Sequence, residues 1–477
     1  ALGWLRGRLS EHLQLDLVGQ LGGHSFPRTH RPSSGLAGSA MVFAIQKQLE
    51  KYLKDGSGRF ELKKWTRASK LITEGGAVVG VEYDVVTAKD QDTPQSSGRI
   101  EGRHIIIATG GYASDYSEDS LLKEHRPDLL KYATTNNKGT TGDGHKLALA
   151  VGAKPLDLDD VQVHPTGFFN PQEPDNKVKT LCAEITRGEG GIVLDSRGHR
   201  FADELGTRDY VTGRMLQVDP QSLKFALIMN EATGKAAETH IGLYTKKGLI
   251  QRFETLSDLA KWDFWGMFVS EKSLRQSLDK YDKDAAEGTD AFGKKYFHNV
   301  PYSTNGPFYA GIVTPVIHYC MGGIAIDPEG HVLDKKDQPI PGLHAAGEVI
   351  GGLHGKNRLG GNALSECVVF GRAIGKKLPI GQQPTAAKPD QAPAPLPAVQ
   401  GKGKRITKAE MATHSTAESC WVAINDKVYD FTTFLDEHPA GAEAILRFGG
   451  QDGTEIFEAI HTPEMLEDFS PIGDLVS

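Results

Sequence analysis

His104-Ile105-Ile106-Ile107-Ala108-Thr109-Gly110-Gly111 decides the fold class. A continuous apolar run of this length reads as a strand. A strand with no polar face belongs in a sheet covered on both sides, as parallel sheets of α/β proteins are. The small residues that follow let a bulky group approach the backbone closely. Leu36 to Leu53 predicts an amphipathic helix, with Met41, Ile45, Leu49 and Leu53 at roughly helical spacing. Ala77 to Val85 predicts a second strand. The expectation is an α/β body.

The chain has 477 residues, enough for two or three domains. Its 39% hydrophobic and 24% charged residues fit a soluble globular protein. No apolar run reaches the length needed to span a bilayer, so no membrane anchor is expected. The start, Ala1-Leu2-Gly3-Trp4, has neither an initiator Met nor a signal pattern and reads as internal. Cys182, Cys320, Cys367 and Cys420 are scattered singly with no C-x-x-C, so neither a zinc site nor a disulfide framework is indicated. The chain reads as intracellular; cytosol, mitochondrion and endoplasmic reticulum all fit.

Charge is uneven. From Arg405 to Ser477 four Lys and Arg stand against fourteen Asp and Glu, whereas the whole chain is −7. An acidic module beside a mildly basic body suggests electrostatic docking. A merely solvated acidic surface explains the counts equally well. No basic run points to nucleic acid. Pro379 to Lys404, with Gln391-Ala392-Pro393-Ala394-Pro395, is Pro- and Ala-rich and reads as a semi-extended tether.

Further motifs follow in order. Thr140-Thr141-Gly142-Asp143-Gly144-His145 opens a helix whose amides suit phosphate and whose Asp143 can accept from hydroxyls. Then come Val163-His164-Pro165-Thr166-Gly167, Ala183-Glu184-Ile185-Thr186-Arg187-Gly188, Arg200-Phe201-Ala202-Asp203-Glu204 and Thr207-Arg208-Asp209. Last are His318-Tyr319-Cys320-Met321-Gly322-Gly323, Ala346-Gly347-Glu348-Val349 and Gly355-Lys356-Asn357-Arg358-Leu359-Gly360-Gly361-Asn362-Ala363-Leu364. Singly, each is a common turn or surface pair. Together, from about Leu2 to Lys376, they resemble the fumarate reductase/succinate dehydrogenase flavoproteins, the soluble single-chain fumarate reductases above all.

The resemblance implies an FAD-binding domain interrupted by an α+β capping domain. Its boundaries here would be 1–163 and 319–378 for the first and 164–318 for the cap. It implies that His164, His318, Arg358 and Gly361 hold a C4 dicarboxylate. It implies that Arg208 delivers a proton to substrate carbon, with Glu184 and Arg187 as the relay. Gly110, Gly111, Asp143, Glu348, Ala363 and Leu364 match flavin-contacting positions. Arg is chemically suited to the clamp because its planar fork binds a carboxylate through two parallel hydrogen bonds.

One family element is not found. The family opens with a strand, a G-x-G-x-x-G turn and a helix that hold the FAD pyrophosphate. Gly19-Gln20-Leu21-Gly22-Gly23 is the nearest candidate, and Ser25-Phe26-Pro27 keeps a helix from following it. The FAD domain is therefore expected to lack its N-terminal nucleotide cradle, and FAD binding by this chain alone to be weak or absent.

The C-terminal part, 405–477, carries a second resemblance. Trp421-Val422-Ala423-Ile424, Val428-Tyr429-Asp430-Phe431-Thr432, Glu437-His438-Pro439-Ala440-Gly441, Gly449-Gly450-Gln451-Asp452, Phe457 and Ile460-His461-Thr462 resemble the cytochrome b5 haem-binding domain. Ala440 stands where that family usually has Gly. The resemblance implies a small α+β domain with haem b between His438 and His461. Two imidazole ligands leave no open iron position, so such a site passes single electrons.

The two resemblances together imply reduction of fumarate to succinate by FAD, fed by a b5-type haem. Cytochrome b5 reductase or another carrier would be the donor. Two alternatives stand beside this. One is a haem electron carrier with a degenerate flavoprotein body. The other is a related FAD enzyme acting on urocanate, a ketosteroid or aspartate.

Overall fold

The computed structural model describes every residue except 1, 10–13, 34, 88–92, 267, 379–404, 436–437, 439–441, 461–465, 467–468 and 477. The chain forms two compact units, Ala1–Leu378 and Pro379–Ser477. The expected tether, Pro379 to Lys404, lies outside the described residues, as do Ala440 and His461.

In the first unit the predicted helix spans Ala37–Lys54 and the predicted strand Ala77–Val85. That strand sits between Thr66–Glu74 and Ser96–Glu101 in an antiparallel meander. Gly75 and Gly76 both take positive φ at its first turn, a conformation glycine adopts without a Cβ clash. The decisive strand is short, Ile105–Ile107, and runs parallel to Pro339–Ala345, with Leu343 opposite Ile105 and Ala345 opposite Ile107. Ile107, Leu343, Ala345, Val78 and Ala148 share one core.

One expectation fails here. Ile106 is 45% exposed, so the apolar strand is not covered on both faces. Among the described residues Ile105–Ile107 pairs with Pro339–Ala345 alone, which leaves it at the edge of its sheet.

A larger six-stranded sheet is organised by Phe308–Cys320, thirteen residues long. Its first half pairs with Phe225–Asn230 and Gln251–Phe253. Its second half pairs with Val161–Phe168. Against the first half packs the helix Glu271–Glu287. Ser270 caps that helix at one end through a reciprocal bond with Ser273, and Gly288 ends it in the left-handed region. Leu274, Leu278 and Tyr281, three and four residues apart, form its buried stripe. They meet Phe308, Ala310, Trp262 and Trp265 in one cluster. Burying each leucine there contributes roughly 2 kcal/mol.

The second unit is a curled mixed sheet. Its order is Arg405–Thr407, Gly473–Val476, Lys427–Asp430, Ser419–Ile424, Ser415–Thr416. Asn425 and Asp426 both take positive φ in the two-residue turn between Ser419–Ile424 and Lys427–Asp430, as a hairpin of that length requires. Alternate residues face opposite cores. Cys420, Val422 and Ile424 join Tyr429, Phe431 and Leu435 on one side; Ala423 joins Ile406, Met411 and Val428 on the other.

Candidate active site

Strand and loop positions bring most of the predicted residues of the first unit together. His164 lies on Val161–Phe168 and is fully buried. Its Nδ1 accepts the Thr166 backbone N–H at 3.1 Å, which places the ring proton on Nε2. That Nε2 has no hydrogen-bond partner. His318, near the end of Phe308–Cys320, stands with its ring centroid 5.1 Å from that of His164. Its Nδ1 bonds the Thr135 hydroxyl at 2.7 Å. Burial and nearby guanidinium groups hold both imidazoles well below their ordinary pKa, so both are neutral at pH 7.

Arg208 opens the helix Arg208–Val218. Its Nε and Nη2 both donate to Glu184 Oε2, at 2.9 and 2.6 Å, and its Nη1 donates to Gln162 Oε1 at 2.7 Å. Glu184 Oε1 accepts the Gly22 backbone N–H at 2.7 Å. Arg187 Nη2 lies 3.8 Å from the same carboxylate, and Arg187 Nη1 donates to the Glu204 carbonyl. Burial pushes the Glu184 carboxyl up, but Arg208 and Arg187 outweigh it and hold it below the usual range. Burial lowers the Arg187 and Arg358 guanidinium groups; Arg358 falls to about 10, helped by the charge of Arg208. Arg358 is therefore still a cation at pH 7.

Three guanidinium groups (Arg187, Arg208, Arg358) surround one carboxylate (Glu184) and two neutral imidazoles. Within this set the balance is two positive charges, with Glu348 and Glu366 acting on Arg358 from outside it; buried charge of this kind calls for a counter-ion. Four buried donor atoms lack partners: His164 Nε2, Arg187 Nε, Arg187 Nη2 and Arg358 Nε. A small dianion with several acceptor atoms satisfies both deficits.

Gly361, the last substrate residue singled out, takes positive φ at the start of the helix Asn362–Lys377. Its neighbour Gly360 matters more to the packing. A Cβ there would lie 2.7 Å from Leu21 and 3.0 Å from Glu184 Oε2.

The sequence reading missed several contributors. In the sequence Gly22 reads either as part of the nearest candidate for a nucleotide turn or as a glycine pair that the resembled family carries downstream of that turn, and neither reading gives it a contact with Glu184. In the structure Leu17–Gly19 pairs antiparallel with Thr29–Arg31, and Gly22 is a wall of the charged site. A Cβ at Gly22 would lie 2.5 Å from Glu184 Oε1. His24, one residue after the glycine pair, bonds the Gly360 carbonyl at 3.1 Å. Gln162 ties Arg208 to the Arg358 loop, donating to the Arg358 carbonyl at 2.9 Å. Its position two residues before His164, on the same strand face, was the available signal.

The residues singled out for the flavin form a second group. Gly110 takes positive φ with open space where a Cβ would point. A Cβ at Gly111 would lie 2.5 Å from Glu348 Oε1, so glycine is what admits that carboxyl. Glu348 accepts the Cys320 backbone N–H at 2.9 Å, and burial pushes its carboxyl up to about 7. Asp143 begins the helix Asp143–Ala150 and lines a cavity of about 590 Å³ with Arg67, Lys70 and Lys146. Ala363 and Leu364 lie in the first turn of Asn362–Lys377. The open glycine turn beside two carboxyls fits the ribityl and ring portion of a flavin. The 477 residues contain no G-x-G-x-x-G turn for the pyrophosphate.

In the second unit His438 stands edge-on to Phe434, ring centroids 6.0 Å apart. Phe434 belongs to the apolar cluster of Phe431, Leu435, Leu446 and Phe469. Such walls fit a porphyrin face.

Comparison with known proteins agrees with this geometry. The family profile described as FAD binding domain matches residues 4–364. The chain is 40% identical over 380 residues to a fumarate reductase of Schizosaccharomyces pombe, covering 79% of this chain and 71% of that protein. It is 36% identical over 388 residues to fumarate reductase 1 of Saccharomyces cerevisiae, covering 79% and 78%. The chain belongs to the fumarate reductase/succinate dehydrogenase family of flavoproteins. It is an FAD-dependent oxidoreductase of that family. The solved structure of a flavocytochrome c3 fumarate reductase in its open conformation aligns with TM-score 0.57 and 32% identity, over 78% of this chain and 61% of that one. A profile described as cytochrome b5-like haem/steroid binding domain matches residues 407–476. The family member is thus an FAD-binding body fused to a cytochrome b5-like domain. Among the described residues no helix is long and apolar enough to cross a membrane.

Proposed function

We propose that this family member reduces fumarate to succinate. The supporting observation is the site charge of two, with four unpartnered buried donors, in a chain whose relatives include proteins named fumarate reductases. His164 and His318 act as neutral donors to the substrate carboxylates, and Arg358 binds one carboxylate through its planar edge. Gly361 adds its backbone. Fixing both ends of a rigid dianion orients its double bond, and orientation lowers the barrier substantially.

Reduction takes two electrons and two protons. FAD, when bound, supplies the electron pair and one hydrogen as hydride. Arg208 supplies the other proton. Its Nε and Nη2 both face Glu184 Oε2, so Glu184 is placed to return the proton that Arg208 gives up. Arg187, beside the other Glu184 oxygen, passes the proton to Glu184 in turn. Haem b, held by His438 and His461, would pass single electrons inward. Cytochrome b5 reductase or another carrier would reduce it from outside.

The flavin would rest on Gly110, Gly111, Asp143, Glu348, Ala363 and Leu364. We take 164–318 as the capping region and 1–163 with 319–378 as the FAD-binding region. A haem carrier whose flavoprotein body holds no flavin is the alternative reading. Flavin content separates the two. The test is turnover of Arg208→Ala: reduction should fall by about 10²–10⁴, the usual contribution of a general acid, while fumarate still binds. Normal turnover in that variant would remove Arg208 from the role. Titration with fumarate, succinate and urocanate would identify the substrate, because urocanate brings only one carboxylate.

A further inference from the structure

The Arg358 guanidinium is held in an unusual way. It is 4% exposed, yet among the described residues no carboxylate pairs with it and no side-chain hydrogen bond restrains it. It lies on the face of Tyr319 instead, 4.2 Å from the ring centroid. Behind that ring is a buried acid. The Tyr319 hydroxyl donates to Glu366 Oε1, and His354 Nε2 bonds Glu366 Oε2. Tyr319 and Glu366 are both nearly inaccessible to solvent. Each carboxylate oxygen therefore has its own partner, and neither is free to reach the guanidinium.

We propose that Tyr319, Glu366 and His354 form a positioning network that sets how tightly the site grips a dicarboxylate. This rests on the reading of Arg358 as a substrate clamp. Two consequences of the geometry act in opposite directions. The Glu366 charge compensates the buried Arg358 cation through the aromatic ring, and it also repels an incoming dianion. The ring and its hydroxyl keep that carboxylate from closing on Arg358, so the planar edge of Arg358 stays open. The network supplies countercharge without occupying the fork. It thereby permits a charged product to leave a site otherwise lined with donors.

Calorimetric titration of the full chain tests this, with fumarate as the dianion and crotonate as the monoanion. Glu366→Gln keeps an acceptor for Tyr319 and removes the charge. It should tighten fumarate about tenfold, since one unit of repulsion is lost at partly buried distance, and tighten crotonate less. Tyr319→Phe frees the carboxylate to pair with Arg358. It should weaken fumarate about tenfold, as loss of a hydrogen bond to a charged group does. In turnover Tyr319→Phe should raise KM by more than it lowers kcat. A role in packing alone would shift both ligands by equal factors and both variants in one direction. Either of those results overturns the proposal, as does weaker fumarate binding by Glu366→Gln. If the unaltered chain binds crotonate but not fumarate, the dicarboxylate reading falls and this inference falls with it. If it binds fumarate and the variants fail these signs, only the inference falls.

Discussion

Glu184→Gln is the substitution whose effect the site geometry defines most fully. Glu184 is 5% exposed and its two oxygens take three hydrogen bonds, two from Arg208 and one from the Gly22 backbone. Glutamine keeps the shape but leaves one oxygen in place of two and no charge. Three buried guanidinium groups then face no carboxylate within the cluster. Breaking a buried pair by removing one partner costs about 3–5 kcal/mol. Glutamine's remaining carbonyl recovers one neutral bond, about 1 kcal/mol, so a net loss of about 2–4 kcal/mol is expected. The same substitution stops the return of a proton to Arg208 and should cut turnover by about 10²–10⁴. The assay is paired: thermal unfolding with and without fumarate, and reduction rate. The local charge rises from two to three, so fumarate should stabilise the variant more than the unaltered protein. If the variant loses less than about 1 kcal/mol and keeps a tenth of its turnover, the ion-pair argument and the relay both fail.

Three further outcomes follow. Glu348→Gln should stabilise the protein at alkaline pH and leave it unchanged near pH 4. The Glu348 carboxyl is raised from 4.5 to about 7 in the fold, so its ionisation costs stability increasingly between those pH values and fully above them. The gain at pH 8 should approach about 3 kcal/mol, read from denaturant unfolding at the two pH values. Gly360→Ala should raise KM severalfold, because its methyl meets Leu21 and Glu184 at 2.7 and 3.0 Å. A kinetic comparison at saturating electron donor checks it. His438→Ala and His461→Ala should each remove the low-spin haem spectrum; a retained spectrum would identify other ligands.

The second unit was legible through its motif set from Trp421 to His461, which a cytochrome b5-like profile also matches; its local structure was less so, since burial does not alternate strictly along Ser419–Ile424 and the tight turn at Asn425 and Asp426 was not singled out. The charged site was legible as a set of residue types. Its contacts were not, since Gly22 and Glu184 are 162 positions apart and nothing local in either segment refers to the other. The glycine pair at Gly22 and Gly23 carried two plausible meanings in the sequence. The Gly22 N–H bond to Glu184 places the pair in the charged cluster and not in a nucleotide turn. The strand at Ile105–Ile107 misled for a related reason. Apolarity indicates that a strand can be covered on both faces, but coverage of Ile106 depends on elements the strand itself does not encode.

The strand Phe308–Cys320 also has a mechanical consequence. Its two halves are stitched to different neighbours, and the stitching shifts register between Thr314 and Val316. Pro315 occupies that junction and lacks the N–H that would continue the ladder. The strand is thus two stiff rods with a weak link at Pro315, and a second register shift lies at His318 itself, between Ile317 and Tyr319. Bending that separated the Trp262–Tyr281 core from His318 would concentrate at Pro315, three residues from the imidazole, so a small rotation there would swing His318 relative to His164.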